Sequence, residues 1–216
     1  KEKITDSINY AGFIQSAVLT PDHEIEKLFS DYFVFNRPRD IVSGDFYWIK
    51  AFHSKILLSV ADCTGHGVPG AFMSMLGMAF LNETVSMKTW SSSAEFLNRI
   101  RIKIIDALHQ TGKEKEAKDG MAIAFCIIDK ENKTIDFAGA NNPLYLITKS
   151  NFELQNEMSK RIRMTKPDDD QTAFKIYEVR GDKMPIGIHR NSQQSFTCNT
   201  INYQKGDIIH LFSDGY

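Results

Sequence analysis

The chain has 216 residues, 42% of them hydrophobic, enough to bury one substantial core and better suited to a single α/β or α+β domain than to two. Lys and Arg number 26 against 27 Asp and Glu, and the net charge of −1 gives no electrostatic case for nucleic acid or an anionic membrane, so a soluble partner is expected. Cys63, Cys126 and Cys198 are widely spaced and odd in number, which argues against a disulfide framework; with no apolar run of about 18 residues and no cleavable signal pattern, the expected location is cytoplasmic.

Residues 3 to 19 place Ile4, Ile8, Ala11, Ile14 and Val18 at steps of three and four, one apolar helix face that Pro21 stops. Such a helix either packs locally or connects and dimerises, carrying a signal from an upstream sensor domain in the same chain. Spacing alone does not choose. The expected division is therefore residues 1–20 as a connecting or dimerisation helix and 21–216 as the main domain. The chain opens on Lys and stops just after an SDG turn, which reads as a fragment whose domain lacks its C-terminal end.

From 26 to 62 the runs KLFSDYFVF, DFYWIKAF and SKILLSVAD, parted by NRPRD, SGD and HSK, predict three antiparallel strands. After Gly70, AFMSMLGMAFLNETVSM predicts a long apolar helix, and AEFLNRIRIKIIDALHQ an amphipathic one opened by the serines at 91 to 93. TGKEKEAKDG is a polar connection. Strands return at MAIAFCIID, TIDFAGA, PLYLIT, AFKIYEV, FTCNTI and DIIHLFS, with Asp129 to Lys133 as a hairpin turn and RIRMTKPDDDQ as a solvated loop. Helices in the middle with strands on both sides are not a βαβ alternation.

Asp45 in VSGDFYW, Asp62 in VADCTGHG, Asp119 in KDGMAIAFC and Asp214 in LFSDGY all sit at turn-forming ends of apolar runs. Carboxylates at strand ends beside glycine are what a hard divalent cation needs, and no Cys/His cluster competes for the role. Glycines after Asp62 let the backbone turn closely enough for the Cys63 carbonyl to point the same way. Arg37 and Arg39, just before the SGD turn, are candidates to hold a substrate phosphate, or else solvated loop charges. His66, between two glycines, is either a proton donor to a leaving oxygen or a polar filler of the turn.

Other constellations are weaker. GHGVPG satisfies G-x-G-x-x-G after a strand, with Glu83 at about the dinucleotide distance, but Asp62 puts negative charge where phosphate would bind and no second parallel strand follows. Cys63 and His66 are spaced C-x-x-H with no further soft ligands, which rules against zinc. Met73, Met75 and Met78 read as core, as does at least half of Phe46, Tyr47 and Trp48.

The order VSGDFYW, VADCTGHGVPGAFMS, KDGMAIAFCIID, AGANNPLYLI, MPIGI and GDIIHLFSDGY resembles the type 2C metal-dependent serine/threonine protein phosphatases, in their bacterial SpoIIE-type branch, from about residue 28 to 216. The resemblance implies an α+β fold, a four-layer αββα sandwich of two packed antiparallel sheets flanked by helix pairs. It also implies two Mn²⁺ or Mg²⁺ ions, with a looser third, that activate a water against phosphoserine or phosphothreonine on a regulator such as an anti-sigma-factor antagonist. By the same resemblance Asp62 bridges both metals, the Cys63 carbonyl binds the second, Asp214 binds the first, Asp45 acts mainly through bound water, and Asp119 matches an acid of the third site. Three departures stand out: the family's further aspartate after the SDG turn lies beyond Tyr216, Ala122 occupies a position where many relatives carry an acid, and AGANNP replaces AGHNP. The alternative is a catalytically inactive phosphoprotein-binding scaffold of the same fold.

Overall fold

The computed structural model describes residues 2–87, 89–113, 118–149, 161–165 and 173–214. Two long helices, α3 (Gly67–Met87) and α4 (Ser93–Ala107), follow the strand pair β1 (Phe46–Phe52) and β2 (Lys55–Cys63). The hairpin β3 (Met121–Asp129) and β4 (Thr134–Ala140) comes next, then β5 (Leu144–Thr148), β6 (Ile162–Thr165), β7 (Lys175–Val179), β8 (Asn199–Asn202) and β9 (Ile208–His210). At the start of the chain lie α1 (Glu2–Val18) and the short α2 (Asp22–Ile25).

The strands form a five-stranded sheet, β1-β2-β3-β4-β8, and a four-stranded sheet, β6-β7-β5-β9, with antiparallel pairing throughout. That excludes a parallel dinucleotide-binding unit around GHGVPG. The period of two along β3 sends Ile123, Phe125 and Ile127 to a core beneath α3 and α4, and Ala124, Cys126 and Ile128 to a second core between the sheets. Phe96 of α4 stacks on Phe125 with ring centroids 4.3 Å apart. The α+β sandwich of two packed antiparallel sheets is thus present, with α3 and α4 as the helix pair on the five-stranded sheet. Among the described residues no second pair of long helices occurs.

Local chemistry explains where elements begin. Ser92 caps α4 by accepting the Glu95 N–H, while the Glu95 carboxylate accepts the Ser91 N–H and hydroxyl. Asp129 holds the β3–β4 turn by accepting from the Glu131 and Asn132 N–H groups, and its carboxyl is pulled down to about 2, first by the hydrogen bonds from Asn132.

Two expected elements differ. KLFSDYFVF forms no strand: turns close behind α2, with the Leu28 and Phe29 N–H groups donating to Ile25 O. Leu28, Phe29 and Tyr32 pack on the inter-sheet core while Phe33 and Phe35 stay exposed, and β1 pairs only with β2. β-propensity without a partner edge does not make a strand. Conversely, the start of RIRMTKPDDDQ is strand β6, paired with β7 from Ile162↔Val179 to Thr165↔Ile176. Its remainder, and the middle of TGKEKEAKDG, lie outside the described residues. α3 begins at Gly67 rather than after Gly70, with Pro69 in the first turn, where a missing N–H costs nothing.

Candidate metal centre

Asp62 sits on β2, opposite Ala122 of β3, one residue beyond the last β1 pair, Phe46↔Ala61, so the β3 ladder fixes its backbone. Asp45 directly precedes β1, and Asp214 follows β9 at the end of the second sheet. These elements bring the three carboxylates together. The Asp62 carboxyl is pushed from its ordinary 3.8 up to about 7, first by burial, then by the charge of Asp45 and a side-chain hydrogen bond to it, and then by the same two effects of Asp214. Such crowding of like charge is what a divalent cation relieves, and binding would displace the proton that Asp62 otherwise holds.

The turns around this cluster are built from glycine. A Cβ on Gly44 would lie 2.8 Å from Gly65 O and 3.2 Å from Cys63 O, so the absent side chain leaves two carbonyl oxygens facing one spot beside Asp45. Gly70 closes the turn from below: a Cβ there would stand 2.5 Å from Gly65 O and 3.0 Å from Gly44 Cα. The Cys63 side chain points into the core beneath α3, where burial raises its thiol pKa, so any contribution to a cation comes from its carbonyl.

Asp45 is held twice. Its N–H donates to Ser43 Oγ at 3.0 Å, and its Oδ2 accepts from Ser213 Oγ at 2.7 Å, a bond that links the start of β1 to the segment after β9. Among the described residues no three His, Cys, Asp or Glu side chains form a complete metal cage by themselves. The convergence seen at Asp62 and the absence of a cage are compatible, because a shell for Mg²⁺ or Mn²⁺ draws on carbonyls and several waters as well as a few carboxylates. The donor set, all oxygen and no soft ligand, fits those ions.

Asp119 stands apart. Its carbonyl accepts from Gln110 Nε2 at 2.6 Å, and the next residue, Gly120, is locked to Thr64: Thr64 N–H and Oγ1 donate to Gly120 O, while Gly120 N–H donates to Thr64 Oγ1. The Asp119 loop is therefore fastened to the turn that follows Cys63, but its carboxylate is not among the groups that perturb Asp62.

His66 is exposed, its Nδ1 3.0 Å from Asp40 Oδ2. Arg37 and Arg39 are exposed in the irregular segment that runs past Asp40 to β1, so the His66–Asp40 pair ties their loop to the glycine turn beside Asp62. Sequence reasoning did not find Ser213, Thr64 or Gln15, the last of which hydrogen-bonds Ser43. Ser213 could have been read from its place in the SDG turn; the other two have no local signature.

Comparison with solved structures gives the same fold. The SiaA-PP2C domain of Pseudomonas aeruginosa is 26% identical with a TM-score of 0.75, covering 99% of this chain and 73% of that one. RsbX in complex with magnesium is 14% identical with a TM-score of 0.54, covering 85% and 72%. The PP2C phosphatase domain of the cell fate determinant SpoIIE from Bacillus subtilis is 16% identical with a TM-score of 0.52, covering 77% of this chain and 40% of that one. No curated protein matches the chain. Residues 53–216 match the family model described as Stage II sporulation protein E (SpoIIE), and the chain, with its PP2C-type phosphatase fold, belongs to that family.

Proposed function

We propose that the chain hydrolyses phosphoserine or phosphothreonine on a bacterial signalling protein, such as an anti-sigma-factor antagonist, at a centre holding two Mn²⁺ or Mg²⁺ ions. The observation that carries this reading is the meeting of Asp45, Asp62 and Asp214 beside the Cys63 and Gly65 carbonyls in a chain of the SpoIIE family. Divalent cations bound there would lower the pKa of a coordinated water and neutralise the phosphoryl oxygens.

The chain's own residues do the rest. Asp62, at the end of β2, would give up its proton and hold the cations through its carboxylate. Asp214 supplies a second carboxylate from the opposite sheet. Asp45, fixed by Ser43 and Ser213, orders water at the centre, and Asp119 serves a looser third site. Arg37 and Arg39 draw the phosphate toward the metals. Asp40 holds the His66 ring at Nδ1, so that the imidazolium form would present its Nε2–H to the leaving oxygen and pass that proton to it.

Residues 1–20 act as a connecting helix to a sensor domain and as a dimer contact, the remainder being the phosphatase domain. Ile4, Ile14 and Val18 of the apolar stripe predicted for this helix are exposed, which supports a role beyond local packing. No helix among the described residues is long and apolar enough to cross a membrane, and the cytoplasm suits the proposed substrate.

Hydrolysis of an aryl phosphate and a phosphoserine peptide, with Mn²⁺, with chelator and with Asp62→Asn, tests the reading. Activity that needs Mn²⁺ and is lost in the mutant is expected. A folded protein that binds Mn²⁺ without turnover would instead favour the phosphoprotein-binding scaffold.

A further inference from the structure

Helix α1 is exposed along most of its length, yet one polar side chain on it is buried: Gln15, 8% exposed. Its amide reads both sides of a single residue in the SGD turn. Oε1 accepts the Ser43 N–H at 2.8 Å, and Nε2 donates to Ser43 O at 2.6 Å. Nε2 also donates to Ser74 Oγ of α3 at 2.7 Å, and Ser74, fully buried, lies 3.1 Å from Ser43 O. Ser43 Oγ in turn accepts the Asp45 N–H, so one chain of hydrogen bonds runs from α1 through the turn to the backbone of Asp45, whose carboxylate belongs to the proposed metal centre. The helix also touches this stretch at Gly12, where a Cβ would come within 2.8 Å of Ile41 O.

A primary amide is the neutral side chain that can match a peptide group donor for acceptor, so the contact fixes the register of the turn as well as its position. Elsewhere α1 exposes Ile4, Tyr10 and Phe13, and Gln15 is its single buried residue. The helix is therefore anchored largely through the same residue that shapes the Asp45 turn.

We propose that Gln15 is a positioning residue for the metal centre, and that docking of α1 and cation occupancy are linked through it: each strengthens the other. The proposal rests on the metal reading given above. Linkage of this kind is reciprocal by thermodynamic necessity, so it can be read from either end.

The test pairs Mn²⁺ titration by calorimetry with amide hydrogen exchange of α1, on the wild type, Gln15→Leu and Gln15→Glu. Leu fills the site without hydrogen bonds; Glu keeps the acceptor for Ser43 N–H and loses both donated bonds. Expected are a loss of Mn²⁺ affinity of ~10–100-fold for Leu, a smaller loss for Glu, and slower exchange of α1 on adding Mn²⁺ in the wild type alone. A Leu variant that fails to fold leaves the Glu variant and the wild-type exchange experiment to decide. Wild-type affinity in both variants, or α1 exchange indifferent to Mn²⁺ in a wild type that binds it, would overturn the proposal. A wild type that binds no Mn²⁺ would overturn the metal reading and the linkage together, and the wild-type titration distinguishes that case from the others.

Discussion

The two sheets hold their share of the proposed metal centre very differently. Asp62 belongs to a nine-residue strand paired on both sides, in a sheet covered by α3 and α4 on one face and by the other sheet on the second. Asp214 follows a three-residue strand at the edge of the four-stranded sheet, paired only with β5. One wall of the centre is set by the fold. The other is fastened across the gap by the Ser213–Asp45 hydrogen bond, and a cation would complete the closure.

This contrast is open to attack in order of expected effect. Asp62→Asn is expected to lower Mn²⁺-dependent hydrolysis by about a thousandfold, equivalent to about 4 kcal/mol of transition-state stabilisation, in steady-state assays. Asp214→Asn, on the yielding wall, should fall less in kcat and more in metal affinity. Equal losses of kcat in the two variants would erase the distinction.

Gly70→Ala and Gly206→Ala compare the walls by sterics. At Gly70 the new methyl meets the Gly65 carbonyl, and a cost of ~1–3 kcal/mol in denaturant melts is expected from overpacking, with weakened Mn²⁺ binding. At Gly206, in the turn before β9, nothing lies within 4 Å and only the positive φ of +96° resists, for about 1 kcal/mol and unchanged metal affinity.

Ser213→Ala removes the link between the walls. A loss of ~10-fold in Mn²⁺ affinity, measured calorimetrically, is expected with little change in stability.

The smallest effect is one of pH on the metal-free protein. Folding raises the Asp62 pKa from 3.8 to about 7, so across that interval the native state keeps a proton that the unfolded chain has lost. This group's contribution to stability is therefore fully present below about pH 4 and is lost as pH rises through about 7. Solvent access screens it, and a fall of a few degrees in Tm between pH 5 and 8 is expected, abolished in Asp62→Asn and reversed by saturating Mn²⁺.

Much of the stiff wall was legible in the sequence, because apolar runs of strand length, a hairpin turn at Asp129 and capping serines at 91 to 93 each carry local chemistry. The yielding parts were not. KLFSDYFVF has the composition of a strand but no edge to pair with, and IRMT looks like solvated loop but finds β7. In the site, Asp45, Asp62 and Asp214 could be picked out because a glycine beside a strand-end carboxylate is unusual chemistry for a core. Gln15 could not, since a glutamine in an amphipathic helix is ordinary until Ser43, 28 residues away, is folded against it.

The central claim is that Asp45, Asp62 and Asp214 form one divalent-cation centre across the two sheets. Anomalous diffraction from Mn²⁺-soaked crystals tests it directly. The account predicts manganese peaks in contact with the Asp62 carboxylate and bounded by Asp45, Asp214 and the Cys63 carbonyl; saturating Mn²⁺ with no peak there, or peaks only elsewhere on the molecule, would contradict it.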